Sequence, residues 1–350
     1  MNSPAAGASA HAANGVVLAE VTRGPLVESQ HLGHIAVASA SRDLIASLGQ
    51  AEARIFLRSA AKPIQALVPI QAGVVEAYGL EPRHVAVMCG SHTGLERHTT
   101  AVLEILERVG LGPEALRCGA DAPANADAAR ALAAAGQQPS PLHNNCSGKH
   151  AGMLAACRRL ELDREEYLSP SHPLQQRILA VVSALAGLAA EDIAIGVDGC
   201  GVPTFGIPLV HAAIAFARLA TPQQECRSED NLAAAARTVI AVMAAHPDMV
   251  SEPGSFNTEL LAALGPNITA KGGAEGVFCL GLAPRGVGVA VKIADGSNRA
   301  LPAVVLAVLR QLEAIPDEAS QALKGFLTPE IRNCHGDVVG QVRPTVERFL

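Results

Sequence analysis

Apolar and polar positions alternate with a period of two over Val16–Arg23 and again over His34–Ser39, the pattern of half-buried strands. The period then lengthens. Ile64–Tyr78, Glu96–Val109, Asp127–Ala135 and Ala151–Leu160 carry apolar residues at helical spacing, as do residues 208–220 and 231–245. Leu301–Leu312 closes the body as a last helix. Two short apolar runs read as buried strands: His84–Cys89, which runs into Gly90-Ser91, and Ile193–Val197, which leads into Asp198-Gly199-Cys200-Gly201. Val277–Leu282 and Val287–Ile293, joined across Ala283–Gly286, predict a β-hairpin. A hairpin so late in the chain argues against a purely parallel sheet. No repeat and no long linker divides the sequence. The expectation is one unit over residues 15–350, of α/β (α+β) type, with a mixed, largely antiparallel sheet packed with helices.

Composition narrows the class. Of 350 residues 49% are hydrophobic and 17% charged, enough apolar surface for a large core and too little charge for a disordered chain. The net charge of −6 comes without a basic run, which excludes a nucleic-acid binder. No apolar run approaches the roughly 18 residues of a membrane span. Residues 1–14 lack both a positive and an apolar segment of a secretory signal and read as a disordered extension. Eight cysteines without such a signal are expected to be reduced thiols in a cytoplasmic protein.

Lysine is scarce: 22 arginines stand beside five lysines. Arginine replaces lysine as a surface cation but not as a base, because a guanidinium keeps its proton while a desolvated ammonium can lose it. Lys62, Lys149 and Lys271 lie among glycine, serine and cysteine; Lys292 and Lys324 read as surface positions. Ser59 and Lys62 form a Ser-x-x-Lys pair in which the amine activates the hydroxyl, although Pro63 disfavours helix at Lys62 and sets the pair on the turn before the helix. Ser91 sits in Cys89-Gly90-Ser91-His92-Thr93-Gly94, where a dyad with His92 fails because adjacent side chains diverge. Lys271 precedes Gly272-Gly273 just ahead of an expected strand. Cys146 and Cys200 flank glycine-rich turns as soft ligands for zinc, with His150 as the third ligand by its i,i+4 spacing from Cys146; the alternative is two buried free thiols.

The segments SAAKPIQAL, CGSHTG, HNNCSGKHAGML and VDGCGVPTFGIPL, in that order, closely resemble the rhizobial-type, thermolabile L-asparaginases of the asparaginase II family. The early VTRGPLVESQHLGHIAV and the late IADGSNRA extend the resemblance over roughly residues 15–345. It implies a fold similar to serine β-lactamases and related glutaminases, usually as a homodimer. It implies two Ser–Lys pairs in one cleft, Ser59 with Lys62 and Ser91 with Lys271, hydrolysing L-asparagine to L-aspartate and ammonia. It also implies a nearby Zn2+ site using Cys146, Lys149 and Cys200, with Asp198 behind it, and so sets Lys149 in place of His150. The Ser251–Thr258 stretch is less family-like, and nothing carries over from it. A glutaminase, a β-lactam or D-peptide hydrolase on the same fold, and a non-catalytic amino-acid or zinc-binding protein remain the alternatives.

Overall fold

The computed structural model describes residues 15–222, 230–346 and 349. The expected extension over residues 1–14 lies outside them. β1 (Val16–Arg23), β2 (Leu26–Ser39), β3 (Leu44–Leu48) and β4 (Arg54–Phe56) come first. A 3-10 turn, Arg58–Ala61, then leads into α1 (Lys62–Gln71) and the short α2 (Val74–Ala77). Next come α3 (Pro82–Met88), α4 (Glu96–Arg108), α5 (Ala126–Ala134), α6 (Ser147–Arg159) and α7 (Pro173–Ala186). β5 (Ala194–Val197) and β6 (Pro203–Pro208) precede α8 (Leu209–Ala220), α9 (Asp230–Ala245), α10 (Pro247–Val250) and α11 (Phe256–Leu264). β7 (Ile268–Gly273), β8 (Val277–Leu282) and β9 (Val287–Ile293) follow, then α12 (Leu301–Gln311), α13 (Asp317–Leu327), β10 (Glu330–Arg332) and β11 (Val338–Pro344).

The main sheet runs β10-β11-β1-β2-β9-β8-β7, with β3 also on β2, and every pairing in it is antiparallel. A small antiparallel sheet, β4-β6-β5, stands beside it. β8 is buried throughout because helices cover both faces: α8 packs on β2, β8 and β9, and α12 on β1, β8, β9 and β11. Gly281 and Gly288 face each other across the hairpin. A Cβ at either would lie 2.0 Å from Phe216 O or 1.9 Å from Ala213 O, so the two glycines let the alanine-rich α8 sit directly on the sheet. Among the described residues no helix is long and apolar enough to cross a membrane.

The hairpin and helices α4, α5, α6, α8, α9 and α12 follow the sequence pattern, whereas α7, α10, α11 and α13 were not expected from it. Three readings change. His84–Cys89 is not a strand but most of helix α3, begun by Pro82 and a capping box between Glu81 and His84. The helix expected over Ile64–Tyr78 is two, broken at Gly73, whose φ of 75° lies in the left-handed region. Lys271 lies within β7 rather than ahead of a strand.

Candidate active site

Five segments converge on one cavity of about 340 Å³ whose wall includes Ser59, Ser91, Asn145, Asn257 and Lys271. Ser59 stands on the 3-10 turn after β4, and Lys62 is the first residue of α1, with Pro63 where a helix tolerates it. The Ser-x-x-Lys pair therefore straddles turn and helix. Gly273 explains how β7 reaches this turn: a Cβ there would lie 2.7 Å from Leu57 O and 3.2 Å from Ala60 N. Ser91 follows α3, and its N–H is fixed by Val250 O at 2.8 Å. A larger cavity of about 410 Å³, near Leu264, Arg285 and Glu313, presents neither a serine nor a lysine.

The lysines pair differently from the expected scheme. Lys62, fully buried, donates to Ser91 Oγ at 2.9 Å and to Asn145 O at 3.1 Å. The Lys271 ammonium donates to Gly272 O at 2.6 Å, with no bond to Ser91 among the described residues. Ser59 shares the cavity but has no side-chain or backbone N–H partner among the described residues. Burial pushes the Lys62 pKa down, the Cys146 thiol opposes this, and the Lys149 charge adds to it. Lys271 is pushed down to about 7, by burial first and then by the Lys62 charge. The Lys149 charge thus bears on Lys62, and the Lys62 charge in turn bears on Lys271.

Behind Lys62 lies a second cluster. Lys149 Nζ donates to Cys200 Sγ at 3.0 Å, and Cys146, Lys149 and Cys200 are all buried. A hydrogen bond from Cys200, together with the Lys62 and Lys149 charges, holds the Cys146 thiol well below its ordinary pKa against burial. Cys200 is pushed up by the same bond and by burial, and burial at Lys149 is outweighed by the two sulfurs, so its pKa rises. Burial would raise the Asp198 carboxyl, but Lys149, the Gly199 N–H and Arg58 hold it below its usual value. The Arg58–Asp198 ion pair, at 2.9 Å, joins the Ser59 turn to the Cys200 turn, with Arg58 at a φ of 50°.

His150 stands apart from the sulfurs, its Nδ1 on Tyr167 Oη at 2.7 Å. His92 meets Ser147 Oγ at 2.7 Å rather than Ser91. Among the described residues no three His, Cys, Asp or Glu side chains gather as a metal site, and the cysteines gather only with a lysine. Sequence reasoning missed Asn145 and Asn257. Asn145 acts through its backbone carbonyl, which no side-chain pattern reveals. Asn257 lies in the stretch from which nothing was carried over.

Solved structures similar to this chain include Mglu in its tris and glutamate form, at 17% identity and a TM-score of 0.46, covering 86% of this chain and 64% of that one. The chain thus spans less than two thirds of that structure. A β-lactamase from Mycobacterium bovis matches at 15% identity and a TM-score of 0.40, covering 80% of this chain and 94% of that one. A Bacillus glutaminase matches at 11% identity and a TM-score of 0.37, covering 81% and 91%. No curated protein matches the chain in sequence. The family model of L-asparaginase II matches residues 19–344, nearly the whole sequence, so the chain belongs to the L-asparaginase II family.

Proposed function

We propose that the enzyme hydrolyses the side-chain amide of L-asparagine to L-aspartate and ammonia through a serine activated by lysine. The observation that carries this reading is the 2.9 Å contact between buried Lys62 Nζ and Ser91 Oγ, at the wall of a cavity that Ser59 and Lys271 share. Ser59 is the nucleophile. Its hydroxyl is unengaged among the described residues, and its N–H is free to stabilise an oxyanion, whereas the Ser91 N–H is spent on Val250 O. With Lys62 neutral, the 2.9 Å contact runs from Ser91 O–H to Nζ. The Ser59 proton then passes to Ser91 Oγ as the Ser91 proton passes to Lys62, and Ser59 Oγ bonds to the amide carbon. The proton returns through Ser91 to the amide nitrogen, the C–N bond breaks, and ammonia leaves an ester on Ser59. Water attacks that ester, gives its proton to the same relay, and Ser59 recovers its own as aspartate departs. Such base catalysis supplies on the order of 10²–10⁴ in rate. Lys271, with its pKa near 7, gives the cavity wall an amine that both charges and discharges at neutral pH.

The donor set of Cys146, Lys149 and Cys200 fits zinc: two buried thiols and an amine in contact. Zn2+ held there would supply a fixed positive charge and Lewis acidity beside the cleft, taking the place of protons on Lys149 and Cys200, with Asp198 behind it. No step above passes through the metal. Its proposed part is to orient substrate.

The test is ammonia release by the wild type from L-asparagine and L-glutamine, beside a chromogenic β-lactam, before and after chelation. The expected result is the highest kcat/KM on asparagine and, after chelation, a raised KM with kcat within a few fold. Fast β-lactam turnover without ammonia from asparagine overturns the assignment. Loss of kcat on chelation overturns the role given to zinc.

A further inference from the structure

β7 is the last strand of the main sheet, so one row of its backbone groups faces away from β8 toward the cavity. A strand edge left unpaired accepts an extended peptide as an added strand, through its outward N–H and C=O groups. On either side of Lys271 those groups are already taken. Asn257 Nδ2 donates to Ala270 O at 3.3 Å, and Gly272 N donates to Asn257 Oδ1 at 2.8 Å. A single carboxamide thus makes the two bonds that one residue of an added strand would make with its own backbone. Asn257 is buried, lines the cavity, and is held in place by the start of α11, where Ser255 caps the helix by accepting from Thr258 N.

We propose that Asn257 is a specificity-determining residue: its carboxamide occupies the β7 edge beside Lys271 and so excludes amide substrates with an extended backbone, leaving the cleft to free amino-acid amides. The inference rests on the reading of the cleft as an amidohydrolase site for asparagine and narrows it. An asparagine residue inside a peptide presents the same side-chain amide as the free amino acid. Its acylated amine and amidated carboxyl, however, need backbone partners along this edge, and Asn257 holds them. Removing the carboxamide frees Ala270 O and Gly272 N, a buried pair whose desolvation then favours any ligand that satisfies both.

The experiment measures ammonia release from free L-asparagine and from N-acetyl-L-asparagine N-methylamide, by the wild type, Asn257→Ala and Asn257→Ser. The quantity read is the ratio of kcat/KM for the blocked substrate to that for the free one. Both substrates meet the same folded fraction of one preparation, so partial unfolding of a variant cancels. The ratio is expected to rise at least about tenfold in both variants, a gain that a merely structural role for Asn257 does not produce. An unchanged ratio, or an equal loss on both substrates, overturns the proposal. If the wild type releases no ammonia from free asparagine, the reading of the substrate fails instead, and the corresponding glutamine pair carries the ratio.

Discussion

At Lys271 burial and the nearby Lys62 charge push the pKa from 10.5 to about 7, and the sign of the consequence is fixed. Below about pH 7 both folded and unfolded chains carry the proton, and the folded state bears a buried charge. Between about 7 and 10.5 the unfolded chain keeps a proton that the folded chain has shed, so this group makes stability rise with pH. Lys271→Met is expected to be more stable than the wild type at about pH 6, with the difference narrowing by about pH 9, and to lose most ammonia release. Urea unfolding at the two pH values checks it, and a pH-independent difference would count against the buried ammonium. This was partly legible in the sequence. The rarity of lysine singled out Lys62, Lys149 and Lys271, and each is buried. Which serine each amine touches was not legible, because Ser91 reaches Lys62 only through the packing of α3 beside α1.

Two glycines separate what holds the elements together from what aligns them. Gly288 lets α8 rest on the β8–β9 hairpin, where a Cβ would stand 1.9 Å from Ala213 O in the middle of the core. Gly273 lets β7 approach the Ser59 turn at the rim of the cleft, where a Cβ would stand 2.7 Å from Leu57 O. Gly288→Ala is expected to cost about 2–4 kcal/mol of stability by overpacking, while the remaining folded protein keeps its kcat. Gly273→Ala is expected to cost less stability and to lower kcat at least about tenfold, since a displacement near 1 Å at a catalytic group is that expensive. Chemical denaturation and ammonia release on both variants check the contrast, which fails if the two glycines behave alike. At this scale the amphipathic helices were readable from their period, whereas α3 was not. Val85–Cys89 is apolar all round because it is buried, and a short buried helix has the same composition as a buried strand. Pro82 was the available signal for its start. β7 was missed because Lys271-Gly272-Gly273 reads as a turn, and its strand character comes from its pairing with β8.

For the whole molecule the antiparallel sheet was foreshadowed by the late hairpin, but the strands that complete it were not. β10 pairs with β11, and β11 pairs with β1 from the far end of the chain, a pairing that leaves no local trace. The homodimer remains a proposal. It is supported by exposed Phe56, Ile195 and Val197 on the small sheet, and a sedimentation mass of a single 35.9 kDa chain would rule it out. The central claim concerns chemistry: a lysine amine, able to become neutral, drives a serine relay in a cleft built from distant parts of the chain. Lys62→Arg keeps the positive charge and removes the base. Its kcat for ammonia release from L-asparagine, measured on protein whose near-ultraviolet circular dichroism matches the wild type, tests that claim most directly. The account predicts a fall of at least about 10³; a kcat close to that of the wild type would contradict it.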